Sequence, residues 1–155
     1  MHICTKCKKY KADCYFPKTN NLFSICFECK YKLEKTEVLK IIAIVSEQTI
    51  RSKKAGLKAT FTFEQWCFAK KHFGHVCCYC GGIPLELCQD HFIPVIKGGK
   101  YIKNNIVPAC EFCNQSKHHE DFFTWYPRQR FYNKEREAKI LKYLKKNVNN
   151  NNPYV

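Results

Sequence analysis

Eight cysteines in two sets of paired C-x2-C turns constrain this chain most. Cys4-Thr-Lys-Cys7 is followed by Cys26-Phe-Glu-Cys29, and Cys77-Cys-Tyr-Cys80 by Cys110-Glu-Phe-Cys113. A C-x2-C turn sets two sulfurs on one edge of a tetrahedron, and a second turn supplies the opposite edge. Twelve cysteines in 155 residues would also suit a disulfide framework, but only in an oxidising compartment. The first residues, MHICTKCKKYK, lack the apolar stretch of a secretory signal. A cytoplasmic, reducing location is therefore expected, with two structural Zn2+ ions. Cys14, Cys67 and Cys88 have no partner at ligand spacing and read as small buried residues. Cys78 could compete with its neighbour Cys77, but Cys78-x-Cys80 is the poorer knuckle.

Charge narrows the partner. The chain holds 27 Lys and Arg against 13 Asp and Glu, a formal +14. Two four-thiolate zinc sites would remove about 4 of that. Residues 1–58 carry 13 basic and 5 acidic groups, residues 59–120 carry 6 and 5, and residues 121–155 carry 8 and 3. A near-neutral middle flanked by basic arms suits a grip on a polyanion around a central site. A solvated, lysine-rich surface would give the same count. At 45% hydrophobic and 15% aromatic, the chain can bury a core. No run of 18 apolar residues occurs, so no membrane association is expected.

Periodicity outlines the elements. Residues 1–30 read as a zinc ribbon too small for a core without metal. Residues 31–50 read as a helix with Val38, Ile41, Ile42 and Val45 at helical spacing, and the short apolar run VLKIIAIV would also suit a strand. Its stripe, widened by Leu39 and Ile44, packs on the core or meets a second subunit. A basic linker, 51–58, follows. Thr62 and Gln65 stand at capping-box spacing for a helix from Phe63 to about Phe73, stopped by Gly74. Trp66 on it reads as core. Residues 122–126 suggest a short helix ended by Pro127. Asn133 caps a last helix over 134–146 with Ile140, Leu141 and Leu144 inward. The Asn-rich residues 147–155 read as disordered. The domains expected are thus 1–58, 59–146 and the tail.

Between the knuckles of the second set the chain reads strand, glycine-bearing loop, strand, then a helix from Glu111. Asp90 and His91 are adjacent on the first strand, so they point to opposite faces unless the backbone turns. Pro94 and Gly98-Gly99 make such a departure plausible. Asn114, Lys117 and His118 would share one helix face. Oxygens from Asp90 and Asn114 suit a hard cation such as Mg2+. A neutral His91 could take a proton from an attacking water. Such parts suit metal-assisted phosphodiester hydrolysis. Alternatively, His91 and Asn114 simply satisfy backbone groups of a loop.

Cys77 to Cys80, Asp90-His91-Phe-Ile-Pro94, Gly98-Gly99, Asn105-Ile106, Cys110 to Cys113 and Asn114-Gln-Ser-Lys117 together resemble the HNH endonuclease motif over roughly 77–117. Phe63-Glu-Gln-Trp66 and Asp121-Phe-Phe-Thr-Trp-Tyr126 resemble flanks of phage and bacterial members. An N-terminal cysteine quartet ahead of the unit is similar to small restriction endonucleases that work as homodimers. The resemblance implies an α+β fold, with a ββα-metal core held by one Cys4 zinc site, an N-terminal Cys4 ribbon and flanking helices. It implies cleavage of double-stranded DNA with Mg2+ or Mn2+, leaving 5′-phosphate and 3′-hydroxyl ends. His91 would be the general base, Asp90 and Asn114 the metal ligands, and Asn105 the residue that orients His91. The third letter of the motif is Asn114 here rather than His, a variant that favours Mg2+ over softer ions. Lys97, Lys117, Arg128 and Arg130, with Lys100 and Lys103, are candidate phosphate contacts. The aromatics of 125–132 are expected to pack. Restriction, phage or mobile-element, and nicking enzymes all fit, as does cleavage of RNA. A non-catalytic zinc module that binds nucleic acid is the rival of another class.

Overall fold

The computed structural model describes residues 2–11 and 25–145. Cys14 and the tail at 147–155 lie outside the described residues. The chain forms two compact units, Met1–Ile44 and Val45–Val155.

In the first unit, strands β1 (His2–Ile3) and β2 (Tyr10–Lys11) pair antiparallel, with His2 opposite Lys11. The turn between them carries the first knuckle. It is closed by the Cys4 amide on the Lys9 carbonyl, 3.0 Å, and the Lys8 amide on the Cys4 carbonyl, 2.9 Å. Cys26 donates its amide to the Cys4 sulfur at 3.4 Å. Cys4 and Cys26 are the buried centre of a cluster with Cys7, Ile25 and Cys29. Among the described residues this cluster is centred on sulfur rather than on large apolar side chains, and so depends on what the sulfurs hold.

Helix α1 spans Phe27–Lys54. It is longer than the stretch read from the sequence, and Arg51, Lys53 and Lys54 are helical rather than linker. Of the apolar stripe expected to pack, only Ile41 is buried, while Leu39, Ile42 and Ile44 are exposed.

In the second unit, helix α2 (Phe63–His72) has the full reciprocal capping box between Thr62 and Gln65. Its Trp66 is buried. Gly74 takes a positive φ of 72° just past the helix, where glycine is least strained. Strands β3 (Cys88–His91) and β4 (Ile106–Ala109) pair antiparallel, with Asp90 opposite Val107 and His91 opposite Ile106. Helix α3 (Glu111–Lys117) follows β4 directly. This is the ββα order, within a mixed helix and small-sheet fold.

Helix α4 (Phe122–Trp125) continues as a 3-10 turn over Tyr126–Arg128. Pro127 therefore tightens the helical path instead of ending it, because a proline is tolerated in the first turn of a helix. Tyr79, Phe122, Trp125 and Tyr126 form the aromatic centre of the core, all buried. Asn133 caps α5 (Lys134–Tyr143), whose Ile140 and Leu141 are buried, with Leu144 just beyond it. Arg136 of α5 donates to the Tyr79 carbonyl at 2.8 Å and the Phe131 carbonyl at 2.7 Å. The Tyr126 hydroxyl donates to the same Tyr79 carbonyl at 2.9 Å. The C-terminal elements thereby hold the knuckle that begins the site.

Candidate active site

The sulfurs of Cys77, Cys80, Cys110 and Cys113 all lie within 4.8 Å of one another, as do those of Cys4, Cys7, Cys26 and Cys29. Cys80 and Cys110 sulfurs are 3.9 Å apart. A tetrahedral zinc with bonds of about 2.3 Å sets its ligand sulfurs about 3.8 Å apart. Both four-thiolate sets could therefore hold zinc. Cys78 is buried beside the second set and takes no place in it, and burial pushes its thiol up. Cys67 and Cys88 are half-buried rather than buried.

The second set joins three pieces of chain: the 77–80 knuckle, the end of β4 and the start of α3. Cys110 also caps α3, its sulfur accepting the Cys113 amide at 3.4 Å. Fixing both ends in this way leaves the intervening strands and loop to present side chains.

On β3, Gln89 and His91 share one face and Asp90 takes the other. Asp90 is buried, 4% exposed. Its Oδ2 accepts from the Tyr79 hydroxyl at 2.5 Å. Lys117 Nζ lies 3.1 Å from Oδ1 and 3.0 Å from Oδ2. Burial pushes the Asp90 carboxyl above the usual range, against the opposing pull of Lys117 and Tyr79. Lys117 also donates to the His91 carbonyl at 2.7 Å. The expectation that Lys117 touches phosphate is corrected: the residue is fully buried, and its charge faces Asp90 inside the protein.

His91 lines a cavity of about 300 Å³ together with Asp90 and Asn114, with Gln48 and Arg51 from α1, and with His118 and His119 beyond α3. Its Nε2 is buried without a protein partner. Burial, then the charges of Lys117 and Arg51, lower its pKa to about 4. The imidazole is therefore neutral at pH 7. Its ring lies 5.6 Å from that of Tyr101, whose hydroxyl donates to Gln89 Oε1 at 2.6 Å. Gln89 Nε2 is, like His91 Nε2, buried without a partner. Unpaired buried polar atoms on one strand face mark a place where a ligand or water is expected.

Asn105, 3% exposed, pins the loop that follows His91. Its side chain accepts from the Ile93 amide at 2.8 Å and donates to the carbonyls of Ile93 at 3.0 Å and Lys100 at 2.9 Å. Its own carbonyl accepts the Phe92 amide at 2.8 Å. Gly99 is required here: a Cβ at that position would stand 1.7 Å from the Ile93 carbonyl oxygen.

His118 does not extend the Asn114 face. Helix α3 ends at Lys117, and His118 turns to a φ of 47°, its ring 3.7 Å from that of His119. Both rings also border a second depression of about 360 Å³ that includes Lys97. Lys97 and Arg130 are exposed. Arg128 is not a free cation: it pairs with Glu120 and donates to the Thr124 carbonyl at 2.8 Å.

Sequence reasoning missed Tyr79, Gln89, Gln48 and Arg51. Arg51 stood in a stretch read as linker. Gln89 could have been found as the same-face neighbour of His91 at i−2.

The fold and site define a ββα unit whose four-cysteine set could hold zinc, and residues 77–120 match the HNH endonuclease family. A similar curated protein is the "SPbeta prophage-derived putative HNH endonuclease YoqL" of Bacillus subtilis (strain 168). It is 31% identical over 109 residues, which cover 59% of this chain and 45% of that protein. The chain thus matches less than half the length of that relative.

Proposed function

We propose that this chain is a Mg2+-dependent endonuclease of double-stranded DNA that leaves 5′-phosphate and 3′-hydroxyl ends. One observation carries the reading: a neutral, half-buried His91 with a buried, unpartnered Nε2 shares a cavity with Asp90, Asn114 and the cation Arg51. A neutral imidazole can accept the proton of a water that attacks phosphorus. The P–O3′ bond then breaks. Asn105 is a positioning residue, holding the backbone just after His91. Arg51 and Lys97 would hold phosphate oxygens beside the reacting group.

Asp90 and Asn114 would hold the metal. Their donor oxygens suit a hard ion, and both border the cavity. Bound there, Mg2+ would supply charge stabilisation for the phosphorane and the departing oxygen. The two Cys4 sets would hold structural Zn2+.

A duplex needs two active sites for a double-strand cut, so a homodimer suits a restriction-type enzyme and a monomer a nicking enzyme. The exposed apolar residues Leu39, Ile42 and Ile44 and the N-terminal quartet support the dimeric reading. The prophage-derived relative supports a phage or mobile-element nuclease as the second reading.

Wild type and His91→Ala, incubated with plasmid and linear genomic DNA in Mg2+, Mn2+ or EDTA, test the proposal. Discrete Mg2+-dependent fragments from wild type alone are expected. Nicked circles would move the reading to a nicking enzyme. Inactivity of both proteins with DNA binding retained would sink it in favour of a non-catalytic zinc module. Competition by RNA separates a DNase from an RNase.

A further inference from the structure

Among the described residues the buried charged groups are Asp90 and Lys117, and the mechanism above leaves Lys117 unused. The Asp90 carboxylate offers about four acceptor positions. Lys117 Nζ lies within 3.1 Å of both oxygens, and the Tyr79 hydroxyl takes a further position on Oδ2. Asp90 nevertheless borders the cavity. Any cation that Asp90 takes from that cavity meets an ammonium already seated on the same group, in an interior that screens charge poorly. The same Nζ holds the His91 carbonyl at 2.7 Å. It thereby ties β3 to α3, the helix that also carries Asn114.

We propose that Lys117 is a positioning residue whose buried ammonium fixes Asp90 and the His91 backbone and lowers the affinity of the Asp90–Asn114 site for a divalent cation. This rests on the nuclease reading of that site. It predicts two effects of opposite direction from one substitution. Loss of the charge tightens metal binding, while loss of the tether slows cleavage. A merely structural role would weaken both.

The test reads Mn2+ binding to the zinc-loaded protein without DNA, by electron paramagnetic resonance, and kcat separately. Lys117→Met is expected to bind Mn2+ about tenfold tighter or more and to lose about a hundredfold in kcat. Lys117→Gln lacks the charge but keeps a donor for the His91 carbonyl. It should bind Mn2+ as Lys117→Met does and recover part of kcat. Tyr79→Phe removes a neutral donor and should leave Mn2+ affinity within about twofold of wild type. Manganese affinity in both Lys117 variants equal to or below wild type overturns the proposal.

If neither variant folds, the wild type decides. The Lys117 ammonium signal in nuclear magnetic resonance must broaden as Mn2+ occupies the site. A signal indifferent to saturating Mn2+ overturns the proposal. A wild type that binds Mn2+ through Asp90, as judged by its loss in Asp90→Asn, but cuts no DNA overturns the nuclease reading and leaves this one standing.

Discussion

A histidine held at a pKa of about 4 keeps its unprotonated form over a wide pH range, at the expense of basicity. The same shift couples stability to pH. The ordinary value is 6.5, so between about 4 and 6.5 the unfolded chain binds the proton more readily than the folded one. Stability therefore rises with pH through that window. The contribution of His91 is complete above about 6.5 and is lost as pH falls toward 4, by as much as about 3 kcal/mol. Urea midpoints from pH 4 to 7 should slope less steeply for His91→Ala than for wild type. Identical slopes would show that another group carries the acid sensitivity. No spacing rule announces this property. It arises from packing around His91 and from Lys117 and Arg51, residues far from it in sequence.

At the scale of elements, the loop between β3 and β4 is held by one side chain and one absent side chain. Asn105→Ala removes three part-buried bonds to the loop backbone, and a destabilisation of about 2–3 kcal/mol is expected. Cleavage should fall by at least about tenfold with zinc content unchanged. Activity within twofold of wild type would show that His91 does not need this loop. Gly99→Ala should do comparable or greater damage, because its Cβ has no space beside Ile93. These elements differ in how legibly the sequence announces them. Helix α2 could be placed closely because Thr62, Gln65 and Gly74 are local signals that nothing distant overrides. The end of α1 could not, since Arg51-Ser-Lys-Lys contains no stop and the next glycine, Gly56, lies two residues past the helix. Lys117 shows the limit most clearly. Its place three residues after Asn114 suggested a shared surface face, but its partner Asp90 is 27 positions away, and only the folded β3–α3 packing shows that it is buried.

At the scale of the whole chain, two compact units each contain one four-cysteine set, and zinc removal should act on each differently. Structural zinc typically contributes about 10–16 kcal/mol of apparent binding free energy, more than the net stability of most small domains. The two tryptophans of the sequence, Trp66 and Trp125, are both buried in the second unit, so their fluorescence reports that unit alone. Trp125 packs edge-on to Tyr79 at 5.0 Å, within the knuckle of the second set. Wild type should contain two zinc ions per chain by elemental analysis. Cys26→Ser and Cys113→Ser should each contain one. Cys113→Ser should shift tryptophan emission to the red and abolish DNA cleavage, because the zinc this set would hold joins the 77–80 knuckle to the end of β4 and the start of α3, around the strand that carries Asp90 and His91. Cys26→Ser should leave the emission unchanged. A red shift in Cys26→Ser as large as that in Cys113→Ser would mean that the ribbon metal is required for folding of the nuclease unit. A wild type with one zinc would mean that one of the two sets serves some other purpose.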